Sequence, residues 1–260
     1  MSDLALSLLR VGLAALIGGV WVSFATATAN LRGTRFGGTI GGLPSTSGFS
    51  FLFIGLNQSP QVATDATKAF PLALSFTILF LIVYAYTVPK GPSVALFISI
   101  LVWLGFSIPS AAYNFKDFPL EVITLGIVSA VAFLVFGNMK LFPTKGGTAR
   151  PGGREALRRG LVGGAVVGTV VLLSQELGST WGGTFAAFPG VFSLTLLFTY
   201  KTRGGGVLPC DGQTLDDCGP CNSFSYSVIV GLAFPLYGAW LGTGLGLLCV
   251  APIAYLLLRI

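Results

Sequence analysis

The chain contains no histidine, and charged residues make up only 9% of its 260 positions. A soluble domain carries about 25% charged residues, so this chain has too little charge to cover a water-facing globule. The absence of histidine removes the most frequent ligand of zinc and haem and the usual proton relay of enzymes. The HExxH, GxSxG and Walker motifs are also absent from the sequence. We therefore expect a protein that is not an enzyme and that needs no cofactor.

Apolar residues, by contrast, are abundant. They make up 53% of the chain, and the mean hydropathy is +0.83. Several apolar runs approach the roughly 20 residues that a helix needs to cross the hydrocarbon core of a bilayer. Backbone groups in lipid must be hydrogen-bonded within their own segment, so these runs predict helices. The sequence indicates an all-α, polytopic membrane protein whose first partner is the lipid bilayer.

The apolar runs predict about nine membrane-spanning helices. They lie at about 5–28, 36–56, 67–88, 92–110, 120–137, 160–177, 182–200, 224–241 and 244–259. The first run has no clear cleavage site of the A-x-A type, so we expect a retained span rather than a signal peptide. The last two spans are short, and Gly242–Thr243–Gly244 is the predicted turn between them. One long tilted helix is the alternative for that region.

The positive residues of the loops predict the orientation of these spans. The loop at 139–159 carries six of the 15 Lys and Arg residues, which places it in the cytoplasm. Five spans precede this loop, so we expect the N-terminus outside and the protein in the plasma membrane. This topology puts 12 of the 15 Lys and Arg residues inside, six in this loop and six elsewhere. A count of eight spans would instead move five of them outside: Arg32, Arg35, Lys90, Lys201 and Arg203. Topology therefore explains the net charge of +6 without a nucleic-acid partner.

The two halves of the chain resemble each other at an offset of 145 residues. Across 16–53, 11 of 38 positions are identical to the positions 145 residues later. The clearest match is a G-G-T-x4-P element, which begins at Gly37 and ends at Pro44 in the first half and runs from Gly182 to Pro189 in the second. The run Ala-Phe-Pro-Leu at 69–72 recurs at 233–236, at an offset of 164 residues. The second half therefore carries 164 minus 145, or 19, extra residues, which we assign to the cysteine-bearing loop near 206–223.

We interpret the repeat as two four-span units joined by one central helix. An odd joining helix turns the second unit over, so the units are related by an axis in the membrane plane, as in many transporters. The predicted units are 1–115 and 155–260, and the joining span with the basic cytoplasmic loop lies at 116–154.

The run G-G-T-I-G-G-L-P-S-T-S, from Gly37 to Ser47, resembles the second helix of a family of small four-span bacterial and archaeal membrane proteins of unknown function. That family opens its second helix with G-G-x4-L-P-x-T-S and has a proline in its third helix, which Pro71 matches. The resemblance covers about residues 10–110 and, more weakly, 155–260. The second copy reads Phe-Pro-Gly-Val-Phe at 188–192, so the hydroxyl groups of the pattern are missing there. The resemblance implies a duplicated four-span fold and no particular activity.

The G-G-T-x4-P element is the candidate functional site. Proline removes a backbone donor and, together with the glycines before it, breaks a helix. A break at membrane depth frees carbonyl and N–H groups, and broken helices near the midplane are where transporters bind substrate. The predicted substrate path is formed by Thr39, Pro44, Ser45, Thr46, Ser47, Thr184 and Pro189, with Asn30 and Gln175 at equivalent repeat positions. Close packing of helices through small residues is the alternative explanation of this element.

Other polar residues stand near the predicted span ends, where an interface would solvate them. The set is Asn30, Asn57, Gln58, Asp65, Lys68, Asn114, Glu121, Gln175 and Glu176. Asp65 and Lys68 are spaced to pair on a helix. No predicted span has an acidic or basic residue at its centre, which argues against a carrier that couples to protons or sodium through a buried carboxylate.

Three of the four cysteines lie in one loop. Cys210, Cys218 and Cys221 form the pattern C-x7-C-G-P-C. C-G-P-C is a thioredoxin-type dithiol, but the surrounding pattern of that fold is missing. Three thiols could bind a soft metal, although a fourth ligand is missing and Cys249 lies within a span. A disulfide is the other option, although disulfides are rare in the cytoplasm, where the predicted topology puts this loop.

The sequence favours a membrane transporter or channel for a small solute or ion, with its path between spans 2 and 7 and beside spans 3 and 8. A non-transporting scaffold or anchor subunit of a larger complex is the main alternative, since charge within the spans is scarce and small residues are abundant. A lipid- or quinone-handling protein is a third option, because the 21 phenylalanines could line a lateral opening. A homo-oligomer or a larger membrane complex remains open as the assembly.

Overall fold

The computed structural model describes residues 3–31, 44–115, 117–139, 152–203 and 220–257. All regular elements in these ranges are helices, which confirms the all-α class. They are α1 (Asp3–Leu31), α2 (Ser45–Asn57), α3 (Pro60–Lys68), α4 (Phe70–Thr87), α5 (Pro92–Ala112), α6 (Phe118–Met139), α7 (Gly153–Leu177), α8 (Ser179–Phe185), α9 (Gly190–Arg203) and α10 (Pro220–Leu257), with a 3-10 turn at Val88–Lys90.

Seven segments of the described chain are long and apolar enough to cross a membrane. They are Ala5–Ala27, Phe70–Lys90, Pro92–Ala112, Phe118–Phe136, Gly153–Leu177, Ser179–Phe198 and Asn222–Pro252. The protein is therefore a multi-pass helical membrane protein, with two fewer candidate spans than the nine expected. One difference is α2, which has only 13 residues, because the first part of the predicted second span lies outside the described residues. The other is α10, which forms one candidate where two spans were expected.

The long element α10 reverses direction at Gly238. The backbone of Gly238 has φ 76° and ψ 172°, a conformation that glycine adopts without strain. Beyond this residue the chain folds back, since a Cβ atom at Gly246 would lie 2.8 Å from Val230 and one at Gly242 would lie 2.5 Å from Phe234. An α-helix rises about 1.5 Å per residue, so such contacts require a hairpin. The prediction of a turn at 242–244 is therefore wrong. Gly238 forms the turn, and Gly242 lies in the second arm, where its lack of a side chain lets Phe234 pack against it.

The outward surfaces of the helices are apolar. On α6, Ile123 is 57% exposed, Ile127 60% and Leu134 64%, whereas Leu125 and Ala132 on the opposite face are buried. Soluble proteins rarely present an apolar surface of this extent to water. The described helices therefore belong in a lipid bilayer, with these side chains facing the acyl chains.

The helices α1 and α7 pack along each other in opposite directions. Ser7, near the start of α1, contacts Gln175 near the end of α7, and Ser23 near the end of α1 contacts Gly160 near the start of α7. We call the end of the bundle that carries Ser7 and Gln175 the N-terminal face. Around this pair, α4 packs against α5 and α6, while α10 packs on α2 and α3.

The helices α3 and α4 follow one another directly and meet at a bend. Only Ala69 separates them, and its backbone is helical, with φ −79° and ψ −6°. Pro71 has no N–H to donate to the carbonyl of Thr67, so the helix bends here, and the N–H of Ala69 bonds to that carbonyl instead. The third span expected at 67–88 is confirmed by α4, and its proline lies in the first turn.

Candidate functional site

The contact between α1 and α7 is formed by small residues spaced four apart on both helices. They are Ala15, Gly19 and Ser23 on α1 and Gly160, Gly164 and Gly168 on α7. A Cβ atom at Gly19 would lie 2.8 Å from the Gly160 carbonyl oxygen, and one at Gly164 would collide with the Ala15 carbonyl oxygen. Because the two backbones touch here, only glycine fits at the centre of the crossing.

The contacts on the two sides of this crossing are equivalent. A Cβ atom at Gly18 would lie 2.9 Å from Val167, and one at Gly163 would lie 2.8 Å from Val22. Gly163 and Val167 follow Gly18 and Val22 by 145 residues, the offset of the repeat. Two segments that exchange equivalent contacts are related by a local two-fold axis. For α1 and α7 this axis passes between Gly19 and Gly164, which also differ by 145 positions.

The start of a described helix lies beside each member of this crossing. In the second half, α8 ends at Phe185 and α9 begins at Gly190, and we call residues 186–189 between them the span-7 break. A Cβ atom at Gly190 would lie 3.0 Å from Val166 of α7. In the first half, Phe49 of α2 contacts Trp21 of α1, with 5.5 Å between the ring centroids. Trp21 and Val166 are again 145 residues apart, so α2 and α9 each contact a crossing helix at positions related by this offset.

The span-7 break is sealed by two buried side chains from other spans. The hydroxyl of Thr77 in α4 donates to the carbonyl oxygen of Ala187 at 2.7 Å, and the indole N–H of Trp103 in α5 donates to the same hydroxyl at 3.2 Å. Trp103 also meets the rings of Phe185 and Phe188 edge-on, at centroid distances of 5.4 and 5.2 Å. Thr77 is 2% exposed and Trp103 is 0% exposed. The carbonyl freed by the break is thus satisfied by protein and not by water.

The predicted path residues fall into three groups. Thr39 lies outside the described residues. Pro44, Ser47, Thr184 and Pro189 are buried. Ser45 and Thr46, in the first turn of α2, are half-buried.

The first part of span 7 and the described part of span 2 are neighbours in the bundle. A Cβ atom at Gly182 of α8 would lie 3.0 Å from the Ile54 side chain of α2. Asn30 and Gln175, in contrast, are not brought together. Asn30 lies in the last turn of α1, about 35 Å along the helix from Ser7, the residue that contacts Gln175.

Several polar side chains form a layer at the N-terminal face, and we call this group the polar layer. It consists of Ser7, Gln58, Asn114, Ser174, Gln175 and Thr180. The Ser7 hydroxyl donates to Gln175 at 3.1 Å, and the Gln58 amide donates to Ser174 at 2.9 Å. Thr180 donates to Asn114, which joins α8 to the end of α5. The layer therefore ties five helices together without any charged group.

The pair expected between Asp65 and Lys68 is confirmed. The ammonium group lies 2.7 Å from the carboxylate oxygen, and both side chains are 46% exposed. An exposed pair of this kind contributes about 0–1 kcal/mol to stability. We assign it no functional role.

Glu121 lies in the first turns of α6 and is completely buried, so the expectation that an interface solvates it is wrong. Its Oε2 atom accepts the N–H of Leu72 at 3.4 Å, at the start of α4, while its Oε1 atom is buried without a hydrogen-bond partner. Its face of α6 also carries Leu125, four residues on, which is buried as well. That spacing is the sequence signal that could have identified Glu121 as an inward-facing residue.

The cysteine site remains a prediction. Cys210 and Cys218 lie outside the described residues, and Cys221 lies in the first turn of α10. Cys249 is exposed and unpaired. Within the described ranges no three His, Cys, Asp or Glu side chains are grouped closely enough to hold a metal ion.

Comparison of the chain with protein-family models, with curated proteins and with solved structures finds no match in any of the three.

Proposed function

We propose that the protein is a membrane transporter or channel for a small solute or ion, with its path between the broken spans 2 and 7. The observation that carries the proposal is the crossing of α1 and α7, in which equivalent residues of the two halves exchange contacts across Gly19 and Gly164. The span-7 break stands beside α7, and α2 begins beside α1, where the sequence predicts the corresponding break. Inverted repeats with broken helices at their interface are the architecture of many secondary transporters.

The proposed topology has nine crossings, with two inverted four-span units at 1–115 and 155–260. The two arms of α10, 220–237 and 239–257, each have the roughly 17–25 residues that a crossing requires. Tyr237 and Trp240 flank the turn and are 56% and 69% exposed, as is typical of aromatic residues at a membrane interface. The distribution of Lys and Arg supports an extracellular N-terminal face in the plasma membrane.

In this proposal the conformation described above is a closed one. The carbonyl oxygen of Ala187 is the hydrogen-bond acceptor in the span-7 break that a solute would bind. It already accepts a hydrogen bond from the hydroxyl of Thr77. Opening the path requires Thr77 to leave that carbonyl, together with a shift of α4 or of the break. The hydroxyl groups of Ser45, Thr46, Ser47 and Thr184 then become available to the solute.

Flux through purified protein in liposomes tests the proposal. Panels of inorganic ions and small neutral solutes are measured for the wild type and for P44A and P189A, which restore a backbone donor at each break. P109A is the matched control, because Pro109 lies inside α5 and is exposed away from both breaks. We expect solute flux in the wild type that changes in P44A and P189A but not in P109A. The absence of flux for every solute, with only stability altered in the variants, would reject the transport function.

A scaffold or anchor subunit is the second candidate, and one observation favours it. The span-7 break is filled by Thr77 and Trp103, so it needs no solute to satisfy its backbone. Purification from native membranes in a mild detergent separates the two candidates. A stoichiometric partner together with absent flux favours the scaffold, whereas a protein that is pure and conducts solute favours the transporter.

A further inference from the structure

The two carboxyl oxygens of Glu121 differ, because one accepts a backbone hydrogen bond and the other is buried without a partner. Leu72 is the third residue of α4, and the first N–H groups of a helix have no partner within the helix. The Oε2 atom of Glu121 accepts the Leu72 N–H, and a carboxylate is favoured at a helix N-terminus. The Oε1 atom is buried and makes no hydrogen bond with the described residues.

The surroundings of Glu121 supply no counter-charge among the described residues. Its helix α6 packs against α4, which carries no Asp, Glu, Lys or Arg, and the two tyrosines of α4 lie toward the far end of that helix. Asp117, which is exposed, precedes Glu121 in the chain. Lys68, just before α4, is paired with Asp65 at 2.7 Å. A carboxylate buried in this way is costly, and such a group is neutralised by a proton or a cation.

A proton fits this position better than a metal ion does. Hard cations such as Ca²⁺ and Mg²⁺ require about six or more oxygen ligands. Here Oε2 is already used by the Leu72 N–H, and Glu121 belongs to no group of three or more His, Cys, Asp and Glu side chains within the described chain that could hold a metal ion. A proton needs only one oxygen, and Oε1 is free to take it.

We propose that Glu121 is a proton-binding site between α4 and α6, which takes its proton on Oε1 from the solution at the N-terminal face. Release of the proton leaves a negative charge in an apolar contact, which weakens the packing of α6 on α4. The same helix α4 carries Thr77, five residues after Leu72, and Thr77 seals the span-7 break. This last step rests on the proposed transport function: the proton is then the coupling ion that opens and closes the path.

Infrared difference spectroscopy between acid and alkaline pH tests the site on the full-length protein in nanodiscs. A protonated carboxyl group has a carbonyl stretch that an ionised one lacks. The chain has nine Asp and Glu residues, so the band of Glu121 is isolated by subtracting the E121Q spectra from those of the wild type. We expect this difference to contain a carboxyl band that disappears on raising the pH, since E121Q lacks only this carboxyl group and keeps an oxygen for the Leu72 N–H. E121D, which keeps the carboxyl group, serves if E121Q does not fold, and its band should be shifted. Identical spectra for wild type and E121Q, or for wild type and E121D, would overturn the proposal.

Labelling with dicyclohexylcarbodiimide provides the second measurement, because this apolar reagent modifies protonated carboxyl groups in membranes. Mass spectrometry should find the label on Glu121, with a yield that falls as the pH rises. Glu176, an exposed carboxyl at the N-terminal face, is the matched control and should remain unlabelled. D117N and K116Q should leave both the label and the infrared band on Glu121, and transfer of the band to Asp117 would contradict the assignment. Both readouts persist if the protein transports nothing, so failure of the transport function and failure of this site are distinguishable.

Discussion

The indole nitrogen of Trp103 lies 3.2 Å from the hydroxyl oxygen of Thr77, and this contact joins two neighbouring spans at the point where a third is broken. The same hydroxyl donates a hydrogen bond to the carbonyl oxygen of Ala187 at 2.7 Å. A single threonine thus satisfies a donor on one side and an acceptor on the other. The break at 186–189 depends on this one side chain for its buried hydrogen bond.

Replacement of Thr77 by valine should loosen the span-7 break. T77V keeps the shape of the side chain but leaves the Trp103 N–H and the Ala187 carbonyl without partners, at a cost of about 1–3 kcal/mol for each buried group. The expected result is a lower unfolding temperature in detergent and, under the proposed function, a raised solute leak. T124V is the matched control, because the hydroxyl of Thr124 on α6 is exposed and bonds only to its own helix. An equal loss of stability in the two variants would mean that the contacts between spans contribute nothing.

The crossing of α1 and α7 predicts opposite effects for two alanine substitutions on the same helix. G19A places a methyl group against the Gly160 carbonyl, and overpacking of this kind costs about 1–3 kcal/mol. G12A meets nothing within 4 Å and should be neutral or stabilising by up to about 1 kcal/mol, since alanine favours helix. Thermal unfolding of both variants in detergent measures the difference. If G19A were as stable as G12A, the two backbones could not be in contact.

The turn of α10 predicts that alanine at position 238 destabilises the protein through its backbone conformation, without any steric contact. Nothing lies within 4 Å of a Cβ atom at Gly238, yet its φ of 76° is unfavourable for alanine. G238A should lower the free energy of unfolding by about 1–3 kcal/mol, because φ 76° with ψ 172° is a backbone region that is essentially confined to glycine. G244A is the control, because Gly244 has open space around it and helical backbone. A continuous helix through 238 would instead make G238A stabilising, as alanine is in any helix interior.

The orientation of the protein can be measured with single cysteines at the two ends of α5. Tyr113, which is 85% exposed, lies toward the N-terminal face, and Lys90 lies at the opposite end. With the four native cysteines replaced by serine, Y113C should react with a membrane-impermeant maleimide in intact cells. K90C should react only after permeabilisation. The reverse pattern would invert the proposed topology and would place the loop of Cys210 and Cys218 outside.

The positions of the spans could be predicted from the sequence because apolar length alone decides them. The fourth span was expected at 92–110 and α5 runs from Pro92 to Ala112. The turn within α10 could not be located in the same way, because the sequence alone does not distinguish Gly238, Gly242 and Gly244 as the glycine that forms the turn. Only the packing of Phe234 against Gly242 leaves Gly238 as the residue that takes the positive φ.

The side-chain contacts of the site were beyond sequence reasoning for a related reason. Thr77 and Trp103 lie in two apolar spans that also carry other buried polar residues, such as Ser75 and Ser99. A linear pattern does not show which helices become neighbours. Glu121 was expected in solvent because it lies near the end of a span. Its distance from the span end did not predict the exposure of its side chain. The helix face decided its environment, since Glu121 is directed toward α4 together with Leu125.

The reversal at Gly238 also constrains how the chain is made. Only one residue separates the arms 220–237 and 239–257. The arms therefore have no hydrophilic loop between them that could stay in the aqueous phase while the second arm is synthesised. We expect the two arms to leave the translocon together as a preformed hairpin, with Phe234 covered by Gly242 before either arm meets lipid. A nascent chain that stops at the turn would therefore carry a single arm whose Phe234 lacks its contact with Gly242.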